Sequence, residues 1–230
     1  MNVLAFDASG PTGSVAVIKD GQLRFEKTIN TGLNHSVTLL PMIDEAFKAT
    51  NLQVKDCDLL ATVIGPGSFT GVRIGVATLQ GLAAPWDIPC VGVNALEAYQ
   101  TGLTNEQKLI CPIRDARARQ VYGACFQKGV RLMKDCIQKI DDYLAMLPET
   151  EEGYLFVGDG VSMFEKYLRE RLGEKANFAP MHLNLLKAGV VGQLAIQYQD
   201  KKVSGNKILP LYLRLPQAER ERLRKAGKDA

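Results

Sequence analysis

An apolar strand that ends in a carboxylate and runs into a turn of glycines and hydroxyls can set an acid beside a phosphate or its metal ion. Asp7, followed by Ala8-Ser9-Gly10-Pro11-Thr12-Gly13, has that form. A second candidate is the loop Gly65-Pro66-Gly67-Ser68-Phe69-Thr70-Gly71. Its three glycines permit close backbone approach, Ser68 or Thr70 can cap a following helix, and a helix N-terminus attracts anions. No Gly-Lys-Ser/Thr follows, so this is not a Walker loop. Asp7, Ser9, Gly65, Gly67, Ser68 and Thr70 are therefore the candidates for an anion or nucleotide site. The plainer alternative is that Asp7 opens a turn and the glycines serve packing. The later counterparts are weaker: Asp115-Ala116-Arg117-Ala118-Arg119 has no glycine, and Gly158-Asp159-Gly160 is sparse, so a nucleotide site here is expected to be degenerate. Arg114, Asp115, Arg117 and Arg119 read as a solvated turn, with a polar contact surface as the alternative.

Count and spacing remove other chemistries. His35 and His182, the only two histidines, cannot form a helical His-x-x-x-His pair, so no metal ligand and no cofactor is assigned. Ser68 lies outside any Gly-x-Ser-x-Gly elbow, and no catalytic residue is assigned. The five cysteines are odd in number, lack Cys-x-x-Cys spacing and sit mostly in apolar runs, as reduced core thiols do.

The elements that must position these residues alternate between strands and helices. Strands are expected at Val3 to Asp7, Ser14 to Lys19 and Gln22 to Ile29, a meander closed by Asp20-Gly21. A helix from His35 to Thr50, capped by Asn34, should kink or restart at Pro41. Leu59 to Ile64 leads into the glycine loop and a helix from Val72 to Ala84, and Cys90 to Val93 leads into a helix from Ala95 to Thr101. Leu109 to Ile113 and Gln120 to Phe126 repeat the opening hairpin: Leu4-Ala5-Phe6-Asp7 aligns with Pro112-Ile113-Arg114-Asp115, which marks an internal duplication. Tyr154 to Val157 precedes a helix ending near Leu172, and a last helix spans Leu185 to Gln199. Both first-half helices are apolar over more than the roughly 100° stripe that one core contact needs, so each demands a second surface.

At 230 residues, 46% hydrophobic and 23% charged, the chain has globular composition, which excludes disordered, collagen-like and coiled-coil classes. It divides into an N-terminal lobe, 1–108, carrying the two helices that demand a second surface, and a C-terminal lobe, 109–230, with a basic tail. No apolar run is long enough to span a membrane and the first residues lack a basic secretory start, so a cytoplasmic location is expected. The net charge of +3 is too small to imply nucleic-acid binding and equals the surplus of six Lys/Arg over three acids from Arg214 onward. That tail reads as a solvated end or a weak phosphate-attracting arm.

Gly65-Pro66-Gly67-Ser68-Phe69-Thr70-Gly71-Val72-Arg73-Ile74-Gly75, Asn34-His35-Ser36, Asp115-Ala116-Arg117 before Val121-Tyr122, and Pro210-Leu211-Tyr212-Leu213-Arg214 closely resemble the TsaB (YeaZ) family, historically grouped with M22 glycoprotease-like proteins. The resemblance spans essentially the whole chain. It implies a two-lobed actin-like α/β fold, of the sugar kinase, heat-shock protein and actin plan, whose nucleotide site is degenerate. It further implies a non-catalytic subunit that supports threonylcarbamoyl transfer to the adenosine beside the tRNA anticodon by binding the catalytic TsaD and the ATPase TsaE. TsaD carries a metal-binding Val-Asn-His-x-x-x-His, where this chain has Val93-Asn94-Ala95-Leu96-Glu97-Ala98-Tyr99, with Ala95 and Tyr99 at the ligand positions. Alkyl and phenol groups are poor replacements for imidazole. In this family the first-lobe helices form a bundle with TsaD, or a homodimer when TsaD is absent. Val37, Leu40, Met42, Phe47, Val76 and Leu79 are the expected interface candidates, and any contact with tRNA is indirect or weak. Departures are Thr31-Gly32-Leu33-Asn34 before His35, and Arg114 where an apolar residue is usual. An actin-like ATP-binding enzyme and an M22-type peptidase are the competing readings.

Overall fold

The computed structural model describes residues 1–213. The chain builds the same unit twice. In the first, β1 (Asn2–Asp7), β2 (Gly13–Lys19) and β3 (Gln22–Ile29) form an antiparallel meander, and α1 (His35–Thr50) leads to β4 (Leu59–Gly65), parallel to β1. Helix α2 (Phe69–Ala83) then leads to β5 (Pro89–Asn94), parallel to β4, and α3 (Ala95–Gln100) closes the unit. In the second, β6 (Leu109–Asp115), β7 (Gln120–Gln127) and β8 (Val130–Lys139) form the meander, followed by α4 (Ile140–Met146), β9 (Tyr154–Val157), α5 (Val161–Leu172), β10 (Ala176–Phe178) and α6 (Ala188–Gln197). Strand order is β3-β2-β1-β4-β5 in one sheet and β8-β7-β6-β9-β10 in the other, with β11 (Val203–Ser204) added beside β5. The duplication read from the two aspartates holds in register, since Asp7 pairs with Ser14 and Asp115 with Val121.

Alternation along β1 explains the layers. Leu4 and Phe6 face a core with Leu39, Met42, Ile43, Val72 and Leu79 of α1 and α2. Val3 and Ala5 face a core with Leu96, Val191 and Leu194 of α3 and α6. That second core also takes in Ile110, Phe126, Leu155 and Val157, so one apolar body joins both sheets. The outer face of the second sheet is covered by α4 and α5 through Tyr143, Phe164 and Leu168.

Four expectations need correction. Pro41 lies inside a continuous α1, so the helix does not restart there; the Val37 carbonyl that loses its donor is on the solvent side, where Val37 is exposed. Strand β8 went unpredicted because an edge strand with neither face fully buried, VRLMKDCIQK, shows no apolar alternation. The last helix starts at Ala188 rather than Leu185. Finally, α6 and β11 return to the first sheet, so the second lobe does not run unbroken from 109 to the end. The basic tail from Arg214 lies outside the described residues. No helix of the described residues is long and apolar enough to cross a membrane.

Candidate functional site

The two candidate segments meet. The turn after β1 packs on the β4–α2 loop so closely that Ser68 N–H donates to Ser9 O at 2.8 Å, and a methyl group on Gly71 would lie 2.0 Å from Ala8 O. On Gly67 it would lie 2.3 Å from Ser9 O. These glycines therefore serve backbone contact between two loops. Gly65, at φ +123°, is the one loop glycine that needs its conformational freedom, and a side chain there would also meet Leu211 O at 2.6 Å. Ser68 caps α2, its Oγ accepting from Gly71 N–H at 3.2 Å, while Thr70 is exposed in the first turn. Such a cap contributes about 1 kcal/mol.

Asp7 and Ser9 are fully buried. Asp7 Oδ1 accepts from Ser9 N–H at 2.8 Å, and its Oδ2 finds no partner among the described residues. Burial raises the Asp7 pKa above its ordinary value, against opposing pulls from Arg114 and the Ser9 hydroxyl. His35 braces the same turn by donating from Nε2 to Gly10 O at 2.7 Å. Ser68 caps a helix and His35 holds a carbonyl, and no hydrogen bond joins the two among the described residues.

Arg114 overturns its expected place in a solvated turn. It is 2% exposed, the largest fully buried side chain, and it crosses from β6 into the first lobe. Nη1 donates to Ser9 Oγ at 2.8 Å and to Pro66 O at 2.9 Å, while Nε and Nη2 reach Asp159 Oδ2 at 3.0 and 2.9 Å. Burial alone pulls its pKa down, but Asp159, Tyr99 and Asp7 outweigh that and hold it above the ordinary value. Asp159 Oδ1 accepts from Asp115 N–H at 3.1 Å. The Tyr99 ring lies 5.8 Å from the guanidinium, and burial lifts the Tyr99 hydroxyl well above its ordinary pKa. Asp115, Arg117 and Arg119 are exposed as expected, and Arg117, Ala118 and Arg119 all take left-handed backbone, with φ of 63°, 50° and 59°. The sequence signal for Arg114 was the duplication itself, which pairs it with Phe6, a buried position.

Beside this junction lies a cleft of about 680 Å³ lined by Thr70, Asp115, Arg117, Ser162, Met163 and Tyr212 among others. Its floor does not fit the magnesium-bound nucleotide that an actin-like plan implies. A methyl group on Gly10 would come within 2.0 Å of Arg114 Nη2 and one on Gly67 within 2.8 Å of Nη1, so the guanidinium fills the cradle between the loops. Among the described residues no group of three His, Cys, Asp or Glu could hold a metal ion.

The six interface candidates divide. Leu39, Met42, Ile43, Ala46 and Phe47 form the buried stripe of α1, and Val76 and Leu79 are in that of α2. Met42, Phe47, Val76 and Leu79 are thus core residues, between 0% and 8% exposed, and a partner cannot reach them. Val37 (67% exposed) and Leu40 (54%) face outward, and Arg73, Ala77 and Gly81 are exposed on α2.

The sequence model of the family described as TsaD, tRNA N6-adenosine threonylcarbamoyltransferase, matches residues 30–222. The tRNA threonylcarbamoyladenosine biosynthesis protein TsaB of Bacillus subtilis (strain 168) is 30% identical over 223 residues, 95% of this chain and 96% of that one. The protein of the same description from Haemophilus influenzae is 29% identical over 93% of this chain and 94% of its own. Among solved structures, a Pseudomonas aeruginosa protein with similarity to the peptidase YEAZ superposes with a TM-score of 0.77 at 26% identity, over 93% of this chain and 99% of that one. The ethanolamine utilization protein EutJ of Carboxydothermus hydrogenoformans, at 12% identity and a TM-score of 0.54 over 84% of this chain and 90% of its own, shares the fold alone.

Proposed function

The chain belongs to the TsaB family, and on that premise we propose that it takes part in tRNA threonylcarbamoyladenosine biosynthesis as a non-catalytic scaffold working in the cytoplasm. It binds a TsaD-type transferase, which carries out the chemistry, and the ATPase TsaE; without the transferase the same surface pairs two copies of the chain. The observation that carries this reading is the buried Arg114 guanidinium, which bridges the turn after β1 and the β4–α2 loop and fills the gap between them. A chain whose cradle is filled by its own side chain acts through its surface.

The docking surface in this reading is the outer side of α1 and α2 around Val37 and Leu40, which the fold leaves more than half exposed. Ala95 is fully buried and Tyr99 lies against Arg114, so the two positions that match metal ligands in TsaD are given to packing here. The test is reconstitution of tRNA modification from purified components. The chain alone should modify no tRNA and bind no magnesium–ATP, and adding it to the transferase and the ATPase should raise product formation. Modification or micromolar ATP binding by the isolated chain would overturn the scaffold reading.

A further inference from the structure

We infer that Arg114 is a resident cation: its guanidinium balances the buried carboxylates of Asp7 and Asp159, as a bound divalent cation does in a nucleotide site, and clamps the two lobes into one closed arrangement. Its reach is the first support. Arg114 leaves β6 of the second sheet and donates to Ser9 and Pro66, which belong to the two loops of the first lobe. Its remaining donors go to Asp159 at the start of α5, so a single side chain ties three segments from both lobes. Asp159 is itself oriented by the Asp115 N–H, which leaves Oδ2 for the arginine.

Charge is the second support. Asp7 is 0% exposed with an unpartnered Oδ2, and the Asp159 side chain is 12% exposed. An ionised carboxylate this far from water is stabilised by a cation, and Asp159 has one in direct contact while Asp7 feels the same charge without a hydrogen bond to it. Arg114 supplies a permanent one, and the planar fork of its donors suits a carboxylate, a hydroxyl and a carbonyl at once. Other groups facing Asp7 are the His35 ring and the Ser9 hydroxyl. The third support is room. The backbone at Gly10 and Gly67 lies so close to Nη2 and Nη1 that a single methyl group would collide, so the arginine occupies the gap between these two loops. The shared core between the sheets agrees with a clamp, since opening the lobes would expose Ile110, Phe126 and Leu155. A partner therefore meets one fixed shape, with no opening and closing driven by nucleotide.

The rival is that Arg114 merely fills space, and the full chain distinguishes the two by thermal unfolding. Arg114→Lys keeps the charge with fewer donors, whereas Arg114→Met keeps the length without charge. A resident cation predicts that Arg114→Lys melts above Arg114→Met; equal melting, or the reverse order, overturns the inference. Arg114→Ala adds a rescue arm. Low millimolar guanidinium or magnesium chloride should raise the melting temperature of this variant by about 4 °C or more, while the wild-type protein does not gain and equimolar urea and sodium chloride have no effect. Absence of rescue by both cations, or the same rise in wild type, overturns the inference. Should Arg114→Ala not fold, the order of the lysine and methionine variants decides. These readouts concern the isolated chain, so their failure is distinguishable from failure of the scaffold reading, which partner binding tests.

Discussion

Replacing Leu40 by aspartate separates partner binding from folding, because the outward face of α1 is the surface on which the scaffold reading depends. Leu40 is 54% exposed in the isolated chain. Fully burying a leucine is worth about 1.5–3 kcal/mol, so about half of that, on the order of 1 kcal/mol, is still available to an interface. Leu40→Ala should therefore weaken association with a TsaD-type partner by about five- to tenfold. Leu40→Asp must also bury a carboxylate, which adds about 2 kcal/mol or more and brings the loss to about a hundredfold or beyond. The fold itself should lose about 2 kcal/mol, the sum of the part of the leucine burial already made in the free chain, lower helix propensity and repulsion from Asp44 one turn on. Val76→Asp is the contrast: Val76 is 4% exposed and packs in the α1–α2 core, so its variant should fail to fold. Titration calorimetry with the purified transferase, beside thermal melts of each variant, measures both quantities. Wild-type affinity in a folded Leu40→Asp protein would refute the assignment of this face.

Gly71→Ala should lower the melting temperature sharply, since its methyl group would lie 2.0 Å from the backbone oxygen of Ala8, and cost at least about 1–3 kcal/mol; a melt within 1 °C of wild type, roughly the noise of the measurement, would contradict the loop contact. Ala118→Gly acts in the opposite direction. Ala118 holds φ of 50° between two other left-handed residues, so glycine should stabilise the β6–β7 turn by about 0.5–1 kcal/mol, read as an upward shift of the urea midpoint. Asp7 ties stability to pH. Burial raises its folded pKa above the ordinary 3.8, so the folded protein holds this proton more tightly than the unfolded chain. That contribution is complete below the ordinary value and is lost as pH rises through the folded pKa. Asp7→Asn should remove the loss and flatten the decline above about pH 4; parallel stability curves for the two proteins would show that Asp7 carries none of it.

Much of the fold is legible in residue order because its cues are local. Asp20-Gly21 closes β2 and β3, and the positions of Leu39, Met42, Ile43, Ala46 and Phe47 set a helix whose observed limits, His35–Thr50, are those expected. The paired aspartates Asp7 and Asp115 reveal the duplicated unit, since matching strands end where matching turns begin. Strand β8 escapes this logic: its pairing with β7 supplies a backbone ladder that no apolar period announces. The sequence by itself therefore determined the order of the first unit's elements, the twofold repeat and the family. Only the tertiary structure decided direction: which side of α1 and α2 meets the sheet, and that Arg114 turns inward to Ser9, Pro66 and Asp159. The physical reason is that burial of a charge depends on partners 45 to 105 positions away, and local propensity carries no record of groups brought together only when the lobes close.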